Sequence, residues 1–110
     1  MEITEKNTEK CMIIGIQGRL DTITSTVFEK RLTELIDQQV TRLLVNCTQM
    51  DYISSSGLRT LLIILKRITP SGGKLVICGL RENIHEIFAI SGFTTIFEIY
   101  PGEEDALGVF

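Results

Sequence analysis

One histidine, three cysteines and a scatter of basic residues leave this 110-residue chain short of the side chains on which most metal, nucleophilic and nucleic-acid chemistry depends. The three cysteines, Cys11, Cys47 and Cys78, each stand in a run of aliphatic residues. Their number is odd and none is paired in C-x-x-C spacing, which excludes a disulfide framework and a metal centre and makes them small buried hydrophobes. His85 lies on a predicted helix between Glu82 and Glu86, no G-x-S-x-G elbow is present, and a serine hydrolase therefore lacks its base and its nucleophile turn. No G-x-x-x-x-G-K-[ST] loop occurs either, so the chain is expected to be no enzyme and to carry no cofactor.

Eleven basic residues without a cluster, in a chain of formal net charge −3, argue against a phosphate-tracking surface for nucleic acid or an anionic membrane. The longest apolar run, Leu61 to Leu65, is far below the ~20 residues that span a bilayer. Met1-Glu-Ile-Thr-Glu-Lys has acidic residues where a signal peptide has a basic segment, so a cytoplasmic protein is expected.

What is present is an ordinary core former: 44% of residues are hydrophobic and 23% charged. A chain of this size folds as one domain, residues 1–110, without needing a staple. Cys11 to Gly18 reads as a buried strand, and the polar segment before it can pair with it as a hairpin. From Thr24 the apolar residues Val27, Phe28, Leu32, Leu35 and Ile36 recur at helical spacing, predicting an amphipathic helix to about Gln39. Arg42 to Cys47 reads as a central strand, Thr48 to Gly57 as a loop, and Leu58 to Ile68 as a second helix. Pro70-Ser-Gly-Gly73 turns the chain into a strand at Lys74 to Cys78. A third helix follows, with Ile84, Ile87, Phe88 and Ile90 or Ser91 on one face and Gly92 as its stop. Phe97 to Tyr100 makes a last strand, and Asp105 to Phe110 a short helical turn. Strands and helices in alternation imply right-handed crossovers: an α/β fold with a mixed, mostly parallel sheet of four to five strands covered by three to four helices.

The loop after Cys47 lies at the carboxyl end of a strand, where such sheets keep their functional residues. Ser54-Ser-Ser-Gly-Leu-Arg59 leads straight into the second helix, so at least one hydroxyl is placed as an N-cap. The same place also suits a phosphate, which there meets free N–H donors and the positive end of the helix dipole. On the helical wheel Leu58, Leu61, Leu62, Leu65 and Ile68 form the buried face, with Arg59, Thr60, Lys66 and Arg67 outside. Ile63 points among Arg59, Lys66 and Arg67; it is either an ordinary exposed isoleucine or an apolar anchor in a docking face.

Four ordered motifs resemble the STAS domain of bacterial anti-sigma factor antagonists: Gly18-Arg-Leu-Asp21, Asp51-Tyr-Ile-Ser-Ser-Ser-Gly-Leu58, Gly72-Gly-Lys-Leu-Val-Ile-Cys78 and Ile87-Phe-Ala-Ile-Ser-Gly-Phe93. The resemblance implies a partner-switching regulator. Its unphosphorylated form binds an anti-sigma factor that is also a serine kinase and frees the sigma factor; phosphorylation ends that binding, and a PP2C-like phosphatase reverses it. Counting back from Gly57, the acceptor is Ser55, with Ser56 as the helix cap. The resemblance implies that Asp21 helps dock the partner, and Ser54, Ser56, Gly57, Arg59 and, from the helical wheel, Ile63 are expected at the same surface. Asp21 reads equally well as a helix-start residue. Ser54 departs from the family pattern by standing where an aspartate is usual. A monomer is expected. The alternative implied by the family is a non-phosphorylated interaction subunit of a lipid-transport or stress-signalling complex.

Overall fold

Strands here are drawn from runs of β-branched and aliphatic residues, helices from amphipathic stretches bounded by caps, and the computed structural model describes all 110 residues. β1 (Glu2–Asn7) and β2 (Met12–Leu20) form an antiparallel hairpin in which Glu2 faces Gln17 and Asn7 faces Met12. The Thr8 hydroxyl closes its turn, accepting from the Cys11 N–H at 3.0 Å and donating to the Cys11 carbonyl at 2.8 Å. Then come α1 (Thr22–Asp37), β3 (Arg42–Ile53), α2 (Ser55–Ile68), β4 (Lys74–Cys78), α3 (Glu82–Ile90), β5 (Glu98–Tyr100) and α4 (Glu103–Leu107).

The five strands lie in chain order, β1 to β5, and β2 to β5 are parallel neighbours. A sheet that grows one way through crossovers of one hand must carry its connecting helices on one face. Accordingly Phe28, Leu32 and Leu35 of α1, Leu58, Leu61, Ile64 and Ile68 of α2 and Ile84 and Phe88 of α3 share one core with Ile14, Ile16, Val45, Met50 and Ile77 of the sheet. The opposite face carries a smaller cluster, Ile13, Leu44, Val76 and Cys78, closed by Ala106 of α4.

β3 is longer than expected. It continues through the segment read as a loop and reaches Ile53, which pairs with Leu20 at the end of β2. Two register shifts against β2, at Gly15/Gln17 and Gly18/Arg19, give β3 two more residues than its neighbour over the same span. They break the two-residue alternation, so that Met50 and Ile53 are buried three apart and the pattern no longer reads as a strand.

α2 begins at Ser55, three residues before the expected start. Its buried sector is turned toward α1. Thr60, expected outside, is 4% exposed, and Ile64 is fully buried, whereas Leu62 and Leu65 are half-buried. The reason is that α2 packs on the sheet and on α1 together. Val27 was expected in the core but is 56% exposed; Ser25 takes the inward place on α1. On nine-residue α3 only Ile84 and Phe88, one row four residues apart, reach the core, and Ile90 is 87% exposed. Phe88 stacks edge-on against Phe93 at 6.0 Å and Phe97 at 6.2 Å.

All three cysteines are buried and free. Burial pushes the Cys78 thiol up to about 11 and raises that of Cys47 further still, so neither supplies a thiolate. Phe88→Ala is expected to cost about 3–5 kcal/mol in urea unfolding, against less than about 0.5 kcal/mol for Ile90→Ala; equal costs would place α3 differently.

Candidate functional site

The strand-to-helix corners after β2 and β3 lie side by side, because Leu20 and Ile53 are register partners at the ends of parallel neighbours. Each corner opens a helix with a polar cap. At the first, the Asp21 carboxylate accepts from the Ile23 N–H at 3.1 Å and the Thr24 N–H at 3.0 Å, and the Thr24 hydroxyl accepts in return from the Asp21 N–H at 2.9 Å. This is a reciprocal capping box, and it gives Asp21 the helix-start role. Those N–H donors hold the Asp21 carboxyl below its usual value, with Arg19 beyond them at 3.8 Å.

At the second corner the cap is Ser54, not Ser56. Its hydroxyl accepts from the Gly57 N–H at 3.1 Å, and the Leu58 N–H bonds its carbonyl at 3.0 Å. The longer β3 moves the helix start back and with it the cap. A serine thereby fills the capping duty that an aspartate also performs well. Ser55 becomes the first residue of α2 and is exposed, and Ser56 the second, half-buried. Helix geometry leaves the N–H groups of Ser55 and Ser56 without an acceptor in a preceding turn.

The Ser54 N–H donates to the Leu20 carbonyl at 3.0 Å, which joins the two corners directly. Gly57 sits on the same carbonyl. A Cβ there would lie 2.7 Å from the Leu20 oxygen and 2.8 Å from the Ile53 Cγ1, so only glycine lets α2 approach. Gly57 is buried, so it offers no surface of its own.

Between the first turns of α1 and α2 runs an open groove of about 410 Å³. Thr22 and Ser56 face each other across it, their hydroxyls 3.4 Å apart, and Lys30, Arg59 and Ile63 line its continuation. Arg59 is exposed, and Ile63 is 37% exposed, as the wheel predicts. Residues that sequence reasoning did not single out complete the surface. Thr22 and Lys30 carry no motif of their own. Arg19 lies 3.9 Å over the Tyr52 ring, beside Asp21. The Gly-Arg-Leu-Asp and Asp-Tyr-Ile-Ser strings contain both partners, but only the strand register brings them together.

This geometry belongs to a known class of domain. The STAS domain family matches residues 2–106, and the chain belongs to that family. Within it the affinities run to regulators of sigma factors. Over 110 residues the chain is 32% identical to BtrV of Bordetella bronchiseptica, a protein named as an anti-sigma factor antagonist, covering 100% of this chain and 95% of that one. A Thermotoga maritima crystal structure described in the same terms superposes with a TM-score of 0.91 at 20% identity, over 96% of this chain and 92% of that one. The Bacillus cell fate determinant SpoIIAA, solved in its phosphorylated form, superposes with a TM-score of 0.77 at 19% identity, over 97% of each chain. No helix in the structure is long and apolar enough to cross a membrane.

Two outcomes follow from the caps. Ser54→Ala should cost about 1 kcal/mol in chemical unfolding, whereas Ser56→Ala should be nearly neutral; the reverse order would return the cap to Ser56. Because the folded value of Asp21 is depressed, its share of stability is present above about pH 4 and lost as pH falls through that lowered value. The melting temperatures of the wild type and Asp21→Asn should therefore differ near pH 6 and converge near pH 2, and a gap that stays constant would show that the carboxylate charge contributes nothing.

Proposed function

We propose that the protein is an anti-sigma factor antagonist whose docking surface is the paired helix start, switched by phosphorylation of Ser55. In its unmodified form it binds an anti-sigma factor that is also a serine kinase and so frees the sigma factor. The kinase moves the γ-phosphoryl group of ATP to the Ser55 oxygen, releasing ADP and the hydroxyl proton. A PP2C-like phosphatase returns the serine by hydrolysis. The observation that carries the reading is the position of Ser55: exposed, first in α2, and relieved of capping by Ser54.

That division of labour matters chemically. A capping hydroxyl is bound to the helix backbone, so modifying it removes a hydrogen bond and loosens the first turn. The Ser55 side chain makes no such bond. A phosphate on it adds about −1.5 to −2 charges next to unfilled N–H groups and the positive end of the helix dipole. The domain can therefore keep its shape while its docking face changes sign. In a close interface that charge costs desolvation and like-charge repulsion, and the loss of only ~1.4 kcal/mol weakens binding tenfold.

Around the acceptor, Asp21, Ser54, Ser56, Arg59 and Ile63 form the partner surface in this reading, with Gly57 setting the approach of α2. Two relatives support the assignment: BtrV by its name, and SpoIIAA by existing in a phosphorylated form.

Incubation of the purified domain with anti-sigma serine kinases and ATP, followed by peptide mass spectrometry, should find one phosphate, on Ser55; phosphate on Ser54 or Ser56 alone would overturn the site. By titration calorimetry Ser55→Asp should bind the anti-sigma factor at least tenfold more weakly than Ser55→Ala, which keeps wild-type affinity within about threefold. Ile63→Glu should also weaken binding while melting within about 3 °C of the wild type. A large fall in melting temperature would assign Ile63 to the core instead.

A further inference from the structure

Arg59 is the one arginine that the fold leaves without a partner, since Arg42 and Arg81 donate to the Lys10 and Thr48 carbonyls. None of the five ion pairs of the structure, made by Arg19, Arg31 twice, Arg67 and Lys74, includes it. It stands in the first two turns of α2, exposed, on the rim of the groove that Ser56 and Ile63 also line. It follows Ser55 by four residues, and side chains four apart on a helix are neighbours on one face. The polarity is also favourable. An acidic group placed one turn before a basic one pairs better than the reverse order, since each then complements its end of the helix dipole.

We propose that phosphate on Ser55 is captured within the chain by Arg59, so that modification withdraws a guanidinium from the docking face as well as adding a negative charge. The inference rests on Ser55 being the modified residue and specifies how the modification acts. Arg59 suits the task through its chemistry. A planar guanidinium offers paired N–H donors that match two phosphate oxygens at once, whereas a lysine would supply a point charge. In the unmodified protein the same group is free to meet an acidic partner, because no carboxylate of this chain holds it.

The consequence is an exchange of partners for Arg59. Before modification it projects positive charge from the face that a partner meets. Afterwards it is occupied by a dianion one turn away, and the partner loses an attraction in addition to meeting a repulsion. Nothing else need move, since both groups ride on one rigid helix that packs on the core through Leu58, Leu61 and Ile64. Glu29 and Lys30 of α1 line the same groove, and Asp21 and Arg19 lie at the neighbouring corner, so these are the other charges that a Ser55 phosphate senses.

The test installs phosphoserine at position 55 of the full chain by genetic encoding, which makes it independent of any kinase. The second ionisation of the phosphate is then followed by phosphorus NMR from pH 4 to pH 8. In an unrestrained phosphoserine that step lies near pH 6. The chain with Arg59 intact should titrate lower than the Arg59→Gln variant by roughly half a pH unit, with Arg59→Lys between them. The helix dipole and backbone N–H groups act equally in all three, so the difference between variants isolates the guanidinium. Coincident curves for the wild type and Arg59→Gln, with circular dichroism spectra that also coincide, would overturn the capture. If the curves separate but kinase reactions place no phosphate on Ser55, the capture stands and the proposed switch fails; if phosphate goes to Ser55 but the curves coincide, the switch stands and the capture fails.

Discussion

The carbonyl oxygen of Leu20 is the joint on which the paired helix start is built. It accepts the Ser54 N–H at 3.0 Å, and Gly57 packs on it so closely that a methyl group would come within 2.7 Å. Leu20 ends β2 and Ser54 follows the end of β3, so this one atom fixes how far two neighbouring parallel strands run before their helices begin. Move either end by a residue and the side chains of a strand exchange faces, which would take Ile53 out of the core and Ser54 off its cap. The two bulges in β3 belong to the same constraint. They absorb the extra residues that β3 needs to finish level with Leu20.

Once the corners are level, the arrangement of the surface follows. Two helices start side by side, each with its own cap, Asp21 on α1 and Ser54 on α2. Capping thereby falls to Asp21 and Ser54, and Ser55 is left free of it. Thr22 and Ser56 meet across the gap, Thr60 and Ser25 fill the interior between the helices with small polar groups, and the groove stays open at its mouth. No buried polar side-chain atom is left without a partner, so this polar seam costs the fold little desolvation.

Much of this was legible from the residues. The alternation of helix and strand, the parallel sheet, the N-terminal hairpin and the buried cysteines all follow from local pattern, because each depends on neighbours in sequence. What pattern did not give depends on neighbours in space. The strand Thr48–Ile53 was hidden because bulges against β2 break its alternation, and that break is visible only once the pairing is known. Helix α2 buries Thr60 and Ile64, off its expected face, because it packs on α1 as well as on the sheet, and a wheel drawn on one helix assumes one packing partner. Val27 looked like core by spacing, yet α1 presents Ser25 inward instead. The cap moved from Ser56 to Ser54 for the same reason that the strand lengthened. Serine strings are ambiguous in sequence, since each hydroxyl is an equally good cap until the helix start is fixed.

In the switch proposed for Ser55, a small group would govern a large contact in a domain with little room to deform. A packed core of this kind transmits strain poorly in small amounts; it either holds or repacks. A switch that worked by moving α2 would have to break the Leu20 joint and the burial of Leu58, Leu61 and Ile64, at a cost of several kcal/mol. A charge placed on the first residue of the helix, outside the cap, asks for none of that. Under that proposal the helix would accept the charge at little cost and the partner would meet it at full cost, and the difference between the two would be the switching energy. For that reason a rigid corner would serve reversible signalling better than a flexible loop: the backbone would keep one shape in both proposed states, and no binding energy would be spent on reordering the chain.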